Sequence, residues 1–468
     1  MGAYLNSETP HALYKSESIS PYFVDKTKML QELFPYVRAG NRHLCVTRPR
    51  RFGKTIAANM ISSFFQKGVD SSDIFDSLEI SQAEEYQKYK NNFNVIRIDF
   101  SKMPRNCGAY CQYITRIEEL LIQDLKEAYP NAKIREEDAL GDILEDIFLQ
   151  YQGEKFLFVL DEWDFIFHKD FITETDKKRF VAFLSNLLKD RPYVILTYMT
   201  GILPIAKYSS GSELNMFAEF TMANSPMFGT CFGFTDKEVS ELYQRYCTEC
   251  EKQHQNKKVT RNGLRDWYNG YYTKSGERVY NPRSVVFALQ FNNLANYWTS
   301  SGPYDEIYYY IRNNISDVRD DLALMITGEA VPAKIQEYAA VSMNLSTRDE
   351  IYSAMVVYGF LSYRNGKVSI PNRELMEKFD DLLVKNESLG YVDFIFYPYD
   401  TTADGMILEL KVDHTPEEAI KQIRNKKYAL RFKPRLGEKR IYTGRILAVG
   451  IGYEKMGKKH KCKVEVVK

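Results

Sequence analysis

Residues 48–55 read RPRRFGKT, and this short stretch decides how the rest of the sequence is interpreted. Its end matches a phosphate-binding loop, in which Gly53 lets the backbone approach a phosphate, Lys54 reaches the outer phosphates and Thr55 holds magnesium. The full pattern G-x-x-x-x-G-K-[ST] begins with a glycine, and this chain has Arg48 at that position. The three matching residues also occur together by chance, so a second motif is needed to decide between a nucleotide site and a basic turn.

That second motif is a pair of acids in residues 156–164, which read FLFVLDEWD. The apolar run predicts a buried strand with Asp161 and Glu162 at its tip. In ATPases with such loops the first acid orders magnesium and the second polarises the attacking water. A strand that ends in a charged turn is the alternative, but it explains one acid better than two.

The next buried strand ends in further polar residues. A polar side chain at this place in an ATPase commonly contacts the terminal phosphate or the water. Thr197 and Thr200 are the candidates, and both could instead cap the strand. We favour Thr200.

The first 230 or so residues alternate strand-like and helix-like runs, the pattern of a parallel sheet with helices on both faces. We therefore predict an α/β domain. The predicted strands are Arg42–Thr47, Asn94–Phe100, Lys155–Leu160 and Tyr193–Met199, and the predicted helices are Thr55–Phe65, Tyr110–Ala128, Glu137–Tyr151 and Asp176–Lys189.

From Phe234 onward the pattern becomes mostly helical. Thr235 and Glu238 have the spacing of a capping box that opens a helix. Asn269-Gly270 and Asn365-Gly366 are turn signals, and the second follows a helical run as in a winged-helix element, although this combination is also common elsewhere.

The last 80 or so residues return to strands. The predicted elements are the strands Tyr391–Tyr397, Gly405–Val412, Gly444–Gly452 and Cys462–Val467 and the helix Pro416–Leu430. We therefore expect three domains: residues 1–232 as the α/β domain, 233–372 as a helical region and 373–468 as a small α/β domain.

Bulk composition limits the partners of this chain. Its 468 residues carry 63 basic and 62 acidic side chains, a net charge of +1, so binding to DNA would have to use local patches. No apolar run reaches the roughly 18 residues that a membrane span needs, and the N-terminus does not resemble a secretory signal. The seven scattered cysteines favour a reducing compartment, so we expect a cytoplasmic protein.

Cys247, Cys250 and His254 have half the spacing of a zinc site. A structural zinc needs four ligands, and the chain has no second pair with this spacing. The stretch also has helical periodicity, so we interpret it as an ordinary helix.

A second carboxylate motif lies near the C-terminus, where Asp393 is on one predicted strand and Glu409 and Lys411 are on the next. Strand alternation places Glu409 and Lys411 on one face. Two carboxylates on adjacent strands can hold a divalent metal, and a lysine nearby can orient water. A strand with one solvated charged face produces the same pattern.

Several segments, taken in their order along the chain, resemble the bacterial AAA-ATPase-like family. They are YFVDKTKMLQELF, RPRRFGKT, LDEWD, TGILPIAKYSSGSELNMF, FGFTDKEV, WYNGYY and YNPRSV. In that family the loop normally begins with arginine, and Trp163 stands where a tyrosine is usual. The resemblance implies a P-loop ATPase that uses ATP and Mg²⁺, with the loop as its cofactor-binding segment: Arg48, Arg50, Arg51, Phe52, Gly53, Lys54 and Thr55. We therefore expect Thr55 and Asp161 to hold the metal and Glu162 and Thr200 to be catalytic. Of the three loop arginines, we expect one or two to face the phosphates and another to pair with acids of the neighbouring strand end, and a solvated basic loop is the alternative.

The C-terminal segment resembles the PD-(D/E)XK nuclease-like domain that often follows this ATPase, and Gln422 and Tyr428 fit its trailing signature. The resemblance implies catalytic Glu409 and Lys411 and a metal held by Asp393 and Glu409. The family usually has a long helical insert and a further strand before Asp393, and here only a few residues remain. The chain thus resembles an internally deleted relative, so we expect a metal site short of one acid, a core short of a covering helix, and little or no cleavage.

These observations leave three functions open. The first is an ATPase coupled to a nuclease-type domain that acts on DNA, and the second is a nucleotide-dependent switch or binding module. The third is a remnant with neither activity. Oligomerisation is compatible with each of the three.

Overall fold

The computed structural model describes residues 2–467 except 136, 206–212, 299–314, 336–346, 386–393, 397, 399, 401, 426–427, 433–441 and 455–458. Its centre is a five-stranded sheet in the order β2-β3-β4-β1-β5, in which every pairing is parallel. The strands are β1 Arg42–Thr47, β2 Asn94–Asp99, β3 Phe156–Asp161, β4 Val194–Gly201 and β5 Phe217–Phe220. The four predicted strands and the parallel sheet are confirmed, and β5 is an addition that sequence analysis did not predict.

The strand order determines where the site forms. Strand β4 lies between β1 and β3, so Val46 pairs with Thr200 and Leu160 pairs with Met199. The carboxyl ends of β1, β4 and β3 therefore lie side by side at one edge of the sheet, where ligands bind in open α/β sheets. Strand β3 is buried along its whole length, which explains its continuous apolar sequence.

Helices flank this sheet and supply most of its core. They are α1 Glu8–Ser18, α2 Lys28–Ala39, α3 Lys54–Phe65, α4 Ser72–Phe75, α5 Tyr86–Tyr89, α6 Tyr110–Ala128, α7 Leu140–Gln150 and α8 Glu174–Leu188. The four predicted helices are confirmed within a few residues at each end. Helix α3, which begins at Lys54, is buried along nearly its whole length, and this fixes the orientation of the loop before it.

The following region forms a separate hydrophobic core. Its elements are α9 Asp236–Lys252, α10 Arg261–Tyr268, β6 Asn269–Tyr272, β7 Arg278–Tyr280 and α11 Pro282–Gln290. The capping box of Thr235 and Glu238 is confirmed at the start of α9. The prediction of a turn at Asn269-Gly270 is wrong, because these residues begin β6 and the hairpin turns instead near Gly276. Glycine is needed at position 270 because the backbone of Pro371 packs directly against it, and a Cβ there would lie 1.9 Å from the carbonyl oxygen of Pro371.

A third group of elements packs against the first core. It comprises α12 Ile315–Ile326, β8 Val331–Pro332, α13 Arg348–Tyr358, β9 Ser362–Arg364, β10 Lys367–Ser369 and α14 Arg373–Lys385. The predicted hairpin at Asn365-Gly366 is confirmed, with φ angles of 50° and 77° at the two turn residues. Because Leu375, Met376 and Phe379 belong to the first core, the first part of α14 packs with the preceding region.

The C-terminal sheet has the order β11-β12-β13-β14, with strands β11 Phe394–Phe396, β12 Gly405–Val412, β13 Ile446–Glu454 and β14 Lys459–Val466. Strands β11 and β12 are antiparallel neighbours. Helix α15, Pro416–Asn425, covers one face and ends before the predicted Leu430, since a 3₁₀ turn follows at Tyr428–Phe432.

The opposite face of this small sheet is apolar and exposed. Its exposed members are Phe394, Phe396, Met406, Leu410, Val412, Val464 and Val466. Isolated exposed apolar side chains are normal on a protein, but seven on one sheet face form a patch of unusual size. The expectation of a core without a covering helix agrees with this exposure among the described residues.

Candidate active site

The loop between β1 and α3 reverses the backbone without a glycine at its first position. The left-handed conformations occur at Arg51, with φ 69°, and at Gly53, with φ 89°. Arg48 is not among the residues with positive φ, so a side chain is tolerated there. Left-handed geometry at Arg51 costs about 1–2 kcal/mol, which the surrounding packing must offset.

The Arg48 side chain does not face a ligand. Its guanidinium is buried and donates hydrogen bonds to the carbonyl oxygens of Thr47, Phe220 and Phe228, at 2.7, 2.8 and 2.9 Å. It also lies over the ring of Phe232. The prediction of Arg48 as a cofactor-binding side chain is therefore corrected: it braces the base of the loop against the end of β5.

Lys54 opens α3 and is buried, with 4% of its surface exposed. Its ammonium donates to the carbonyl oxygens of Arg48 and Pro49, both at 3.2 Å. These contacts fold the side chain back over the loop. The same position is at the positive end of the α3 dipole, where an anion is favoured.

The two acids after β3 occupy different environments. Asp161 is fully buried, with Oδ2 2.9 Å from Nη2 of Arg97 and Oδ1 accepting the backbone N–H of Glu162 at 3.0 Å. Burial raises the pKa of Asp161, while Arg97 and a hydrogen bond from the Thr55 side chain oppose the rise. Sequence analysis did not assign Arg97, which lies in the middle of β2.

Glu162 is only partly buried and adopts a left-handed backbone with φ 52°. Burial raises its pKa, and the positive charge of Lys54 opposes the rise. Strained backbone is often found at functional sites, because surrounding structure must hold it in place. Here the conformation leaves the Glu162 carboxylate at the cavity that Lys54 also lines.

The turn after these acids is locked to the end of β4. Asp164 is fully buried and accepts the backbone N–H groups of Ile202 and Leu203 at 3.1 and 2.9 Å. The Trp163 indole donates to the carbonyl oxygen of Leu203 at 3.1 Å. Gly201 is required beside them, because a Cβ would lie 2.3 Å from Oδ1 of Asp164. This turn therefore holds the Asp161–Glu162 tip in a fixed position.

The two threonines of β4 face other strands. Thr200 is fully buried, and its hydroxyl donates to the carbonyl oxygen of Val46 at 2.8 Å. The Thr197 hydroxyl is 3.1 Å from Nδ1 of His43. The Thr200 hydroxyl thus links β4 to β1, and its contact with phosphate or water stays a prediction.

A cavity of about 470 Å³ opens at the start of α3. Its lining includes the loop residues Arg51–Ala57, the segment around Tyr22–Val24, and residues of α11, together with Glu162 and Phe234. The charged side chains among its lining residues are Glu17, Lys26, Arg51, Lys54, Glu162 and Arg283. Phe52 belongs to the lining, but its buried ring packs edge-on against Tyr271 at 4.9 Å.

Cations converge on the phosphate-loop end of this cavity. Burial lowers the pKa of Arg51, the neighbouring positive charges of Arg283 and Arg50 lower it further, and the nearby Glu162 opposes this shift. Like charges held this close repel unless an anion lies between or beside them. The cavity is therefore suited to a ligand with several negative charges.

Arg283 is the main site residue that sequence analysis missed. It follows Pro282 at the start of α11, where Asn281 caps the helix by accepting the Ser284 N–H at 3.1 Å. A cation at a helix N-terminus opposes the helix dipole, so the position has no benefit to the helix itself. That conflict, together with the Asn-Pro helix start, was the available sequence signal.

The other end of the cavity is apolar. Tyr22, Phe23 and Val24 line it, next to Phe234 and Val286 of the second core. Lys26 fastens this N-terminal segment to α9 through Glu238, at 2.6 and 2.8 Å, and through the Thr230 carbonyl at 2.7 Å. The cavity lining thus combines the cations of the phosphate loop and α11 with aromatic side chains of the N-terminal segment.

Of the C-terminal carboxylate motif, the structure describes Glu409 and Lys411. Glu409 is buried on the face beneath α15, with Lys411 Nζ 3.1 Å from its Oε1 and the Gln422 side-chain amide donating to the same oxygen. The shared face of Glu409 and Lys411 is confirmed. Asp393 lies outside the described residues, so its convergence with Glu409 stays a prediction.

The described part of the chain meets the requirements neither for a metal-binding cluster of acidic, histidine and cysteine side chains nor for a membrane-spanning helix. No group of three or more acidic, histidine or cysteine side chains there is arranged to hold a metal ion. Cys247 and Cys250 lie in α9 and the seven cysteines are free thiols, which agrees with the ordinary-helix interpretation. None of the helices in the described residues combines the length and the apolar character needed to cross a membrane.

Residues 16–210 match the model of the AAA-ATPase-like family, whose description is a predicted AAA-ATPase. The match includes the phosphate loop and the Asp161–Glu162 pair. A relative in Azotobacter chroococcum mcd 1, an uncharacterized protein in the vnfD 5′ region, is 24% identical over 295 residues. That alignment covers 60% of this chain and 51% of the relative, so the chain spans about half the length of the relative it matches.

Similar solved structures are distant. The Walker-type ATPase PABY2304 of Pyrococcus abyssi has a TM-score of 0.41 at 11% identity, covering 76% of this chain and 96% of that one. The Aeropyrum pernix ORC2 protein in ADPNP and ADP complexes has a TM-score of 0.34 at 14% identity, covering 82% and 96%. Drosophila ORC bound to DNA has a TM-score of 0.29 at 9% identity, covering 80% and 91%.

Proposed function

We propose that this chain binds ATP with Mg²⁺ in the cavity at the start of α3 and hydrolyses it. The observation that carries the proposal is the joint lining of one cavity by Lys54, Arg51, Arg283 and Glu162. Three cations at one end suit a triphosphate, and a carboxylate beside them suits the orientation of water. The match of residues 16–210 to a predicted AAA-ATPase model supports this function.

Each part of the cavity receives a part of the nucleotide in this proposal. The phosphates lie at the N-terminus of α3, where backbone N–H groups and Lys54 bind them. Arg283 contacts the terminal phosphate from the other side. The base lies against Tyr22 and Phe23, and a volume of about 470 Å³ is within the usual range for such ligands.

The residues for the metal fit the proposal. Thr55 lies close enough to the buried Asp161 carboxylate to help lower its pKa, so a hydroxyl and an acid are near each other at one corner of the loop. Magnesium prefers oxygen ligands and keeps several waters, so these two groups and the phosphates suffice. The bound ion neutralises developing charge on the phosphates. Arg97 holds the Asp161 carboxylate in place for this role.

The direct test is phosphate release from ATP by the full chain, with magnesium present or chelated. We expect release only with magnesium. If nucleotide binds but phosphate release stays at background, the alternative of a nucleotide-dependent switch replaces the ATPase. Absence of both binding and release would leave the remnant hypothesis.

DNA is a second proposed partner and would bind through local patches, because the net charge of +1 gives no general attraction. Assembly into oligomers and a cytoplasmic location belong to the same proposal. Measuring ATP hydrolysis with and without double-stranded DNA, and the mass of the particle with and without ATP, checks both partners.

Replacing Arg283 with Ala should weaken ATP binding about 10- to 100-fold, because a charged hydrogen bond to phosphate is lost. The loss should be smaller for AMP, which lacks the outer phosphates. Titration of both nucleotides measures the difference. Arg278→Ala removes an exposed arginine from the neighbouring strand β7 and serves as the matched control.

An equal loss of ATP and AMP affinity in Arg283→Ala would place the arginine elsewhere in the nucleotide. Unchanged affinity for both nucleotides would remove it from the site.

The C-terminal region is proposed to be a nuclease-like scaffold with little or no cleavage activity. Glu409 is engaged by Lys411 and Gln422, and two carboxylates supply only part of the six oxygen ligands that magnesium prefers. We therefore expect wild-type protein and Glu409→Ala to leave plasmid DNA equally intact with magnesium or manganese. Efficient cleavage by wild type that is lost in Glu409→Ala would contradict this proposal.

A further inference from the structure

Glu374 is a buried carboxylate near the start of α14, with 1% of its surface exposed. Its oxygens accept the backbone N–H groups of Tyr297 and Trp298, both at 2.7 Å. They also accept the hydroxyl of Ser284, at 3.0 and 2.9 Å. One side chain thus joins α14, α11 and the segment that ends at Trp298.

Two of these partners lead directly to the nucleotide cavity. Ser284 follows Arg283 in α11, so holding Ser284 fixes the helix turn that bears the cavity arginine. The Trp298 indole N–H donates to the carbonyl oxygen of Arg50 in the phosphate loop, at 3.0 Å. Glu374 is therefore connected to the Arg283 helix through Ser284 and to the phosphate loop through Trp298.

Burial disfavours the charged form of Glu374. Burial raises the pKa of this acid to about 7, while hydrogen bonds from Trp298, Ser284 and Tyr297 oppose the rise. The other titratable groups that its charge reaches are the hydroxyls of Tyr268, Tyr271 and Tyr297, and none of these is a cation.

The raised pKa of Glu374 makes the stability of the fold depend on pH. Because the folded pKa is above that of the unfolded chain, the folded state favours the protonated acid. The resulting stability is fully present below the unfolded pKa and is lost as pH rises through about 7. At pH 8 an isosteric neutral residue should therefore be at least as stable as the carboxylate.

We infer that Glu374 is a positioning residue for the nucleotide site, which holds the phosphate loop and the Arg283 helix in one arrangement through Trp298 and Ser284. This inference rests on the proposed ATP site. A separate contact also holds the loop, because Gly359 at the end of α13 packs on Pro49 so closely that a Cβ would lie 2.6 Å from Pro49 Cβ.

The test compares MgATP affinity among Trp298→Phe, Glu374→Ala, Glu374→Gln and the double variant Trp298→Phe/Glu374→Ala. Trp298→Phe removes the indole donor and keeps an aromatic ring, although a smaller one, so we expect about 5- to 10-fold weaker binding. Glu374→Ala should lose about 10-fold or more, and the double variant should lose no more than Glu374→Ala alone, because both act through one contact.

The conservative variant separates positioning from general stability. Glu374→Gln keeps an oxygen for the two backbone donors, so it should bind MgATP within about 3-fold of wild type. It should also unfold at the same or a higher temperature than wild type at pH 8. Trp267→Phe is the matched control, since this indole packs against Arg373 outside the cavity, and it should bind as wild type does.

Hydrogen exchange of residues 48–55 without nucleotide tests the link independently of ATP binding. We expect faster exchange of this loop in Glu374→Ala and Trp298→Phe than in wild type. If wild type fails to bind MgATP while this exchange still rises, only the proposed function fails. Unchanged loop exchange in both variants, or additive losses of MgATP affinity in the double variant, would overturn the inference.

Discussion

Replacing Lys54 with Ala should weaken MgATP binding by at least about 100-fold and reduce hydrolysis to background. The ammonium is buried beside the loop carbonyls of Arg48 and Pro49, and it is the cation nearest the start of α3. A phosphate binds there with the helix dipole and a charged donor together, and the variant removes the donor. Equilibrium titration with a fluorescent ATP analogue measures the change.

The matched control is Lys90→Ala. Lys90 is also a largely buried lysine, but it pairs with Asp76 and Ser72 far along the chain from the loop. Its loss should reduce stability without changing nucleotide affinity. Equal MgATP affinity in wild type and Lys54→Ala would refute the phosphate site itself.

Glu162→Gln should keep MgATP affinity within about 3-fold of wild type and slow hydrolysis about 100- to 1,000-fold. The substitution keeps the size of the side chain and removes the carboxylate that would orient and polarise water. Because Glu162 lies at the cavity with a left-handed backbone held by the locked turn, the variant should retain the fold. Single-turnover phosphate release separates the chemical step from binding.

Glu118→Gln is the control for this prediction. Burial raises the pKa of Glu118 as it does for Glu162, but Glu118 lies on α6 away from the cavity. Hydrolysis by Glu118→Gln should match wild type. If Glu162→Gln hydrolyses ATP at the wild-type rate, the catalytic group is another residue.

Strands, helices and local motifs could be predicted because their signals are local. The apolar run of β3, the capping box at Thr235 and the turn at Asn365-Gly366 each depend on neighbouring residues and their backbone preferences. The one turn that failed, Asn269-Gly270, has the same local signal. There the chain pairs as β6 instead, with Gly270 against the Pro371 carbonyl, a contact from a segment 100 residues later.

The residues of the candidate site also fall into two groups: those that local sequence indicates and those whose orientation depends on distant parts of the chain. Gly53, Lys54, Thr55, Asp161 and Glu162 could be proposed from the sequence because the chemistry of phosphate binding requires these types at the end of a strand or the start of a helix. Arg48 and Thr200 were assigned to the ligand, but long-range partners determine their orientation, namely the carbonyls of Phe220 and Phe228 and that of Val46. Sequence position alone cannot show which of two polar partners a side chain meets.

The sequence by itself determined the α/β class, the phosphate loop and the acid pair, because each follows from residue type and local periodicity. Only the tertiary structure decided that β4 separates β1 from β3, that Arg283 arrives from α11, and that Glu374 links that helix to the loop. These arrangements depend on which buried surfaces pack together, and the free energy of that packing belongs to contacts between residues hundreds of positions apart.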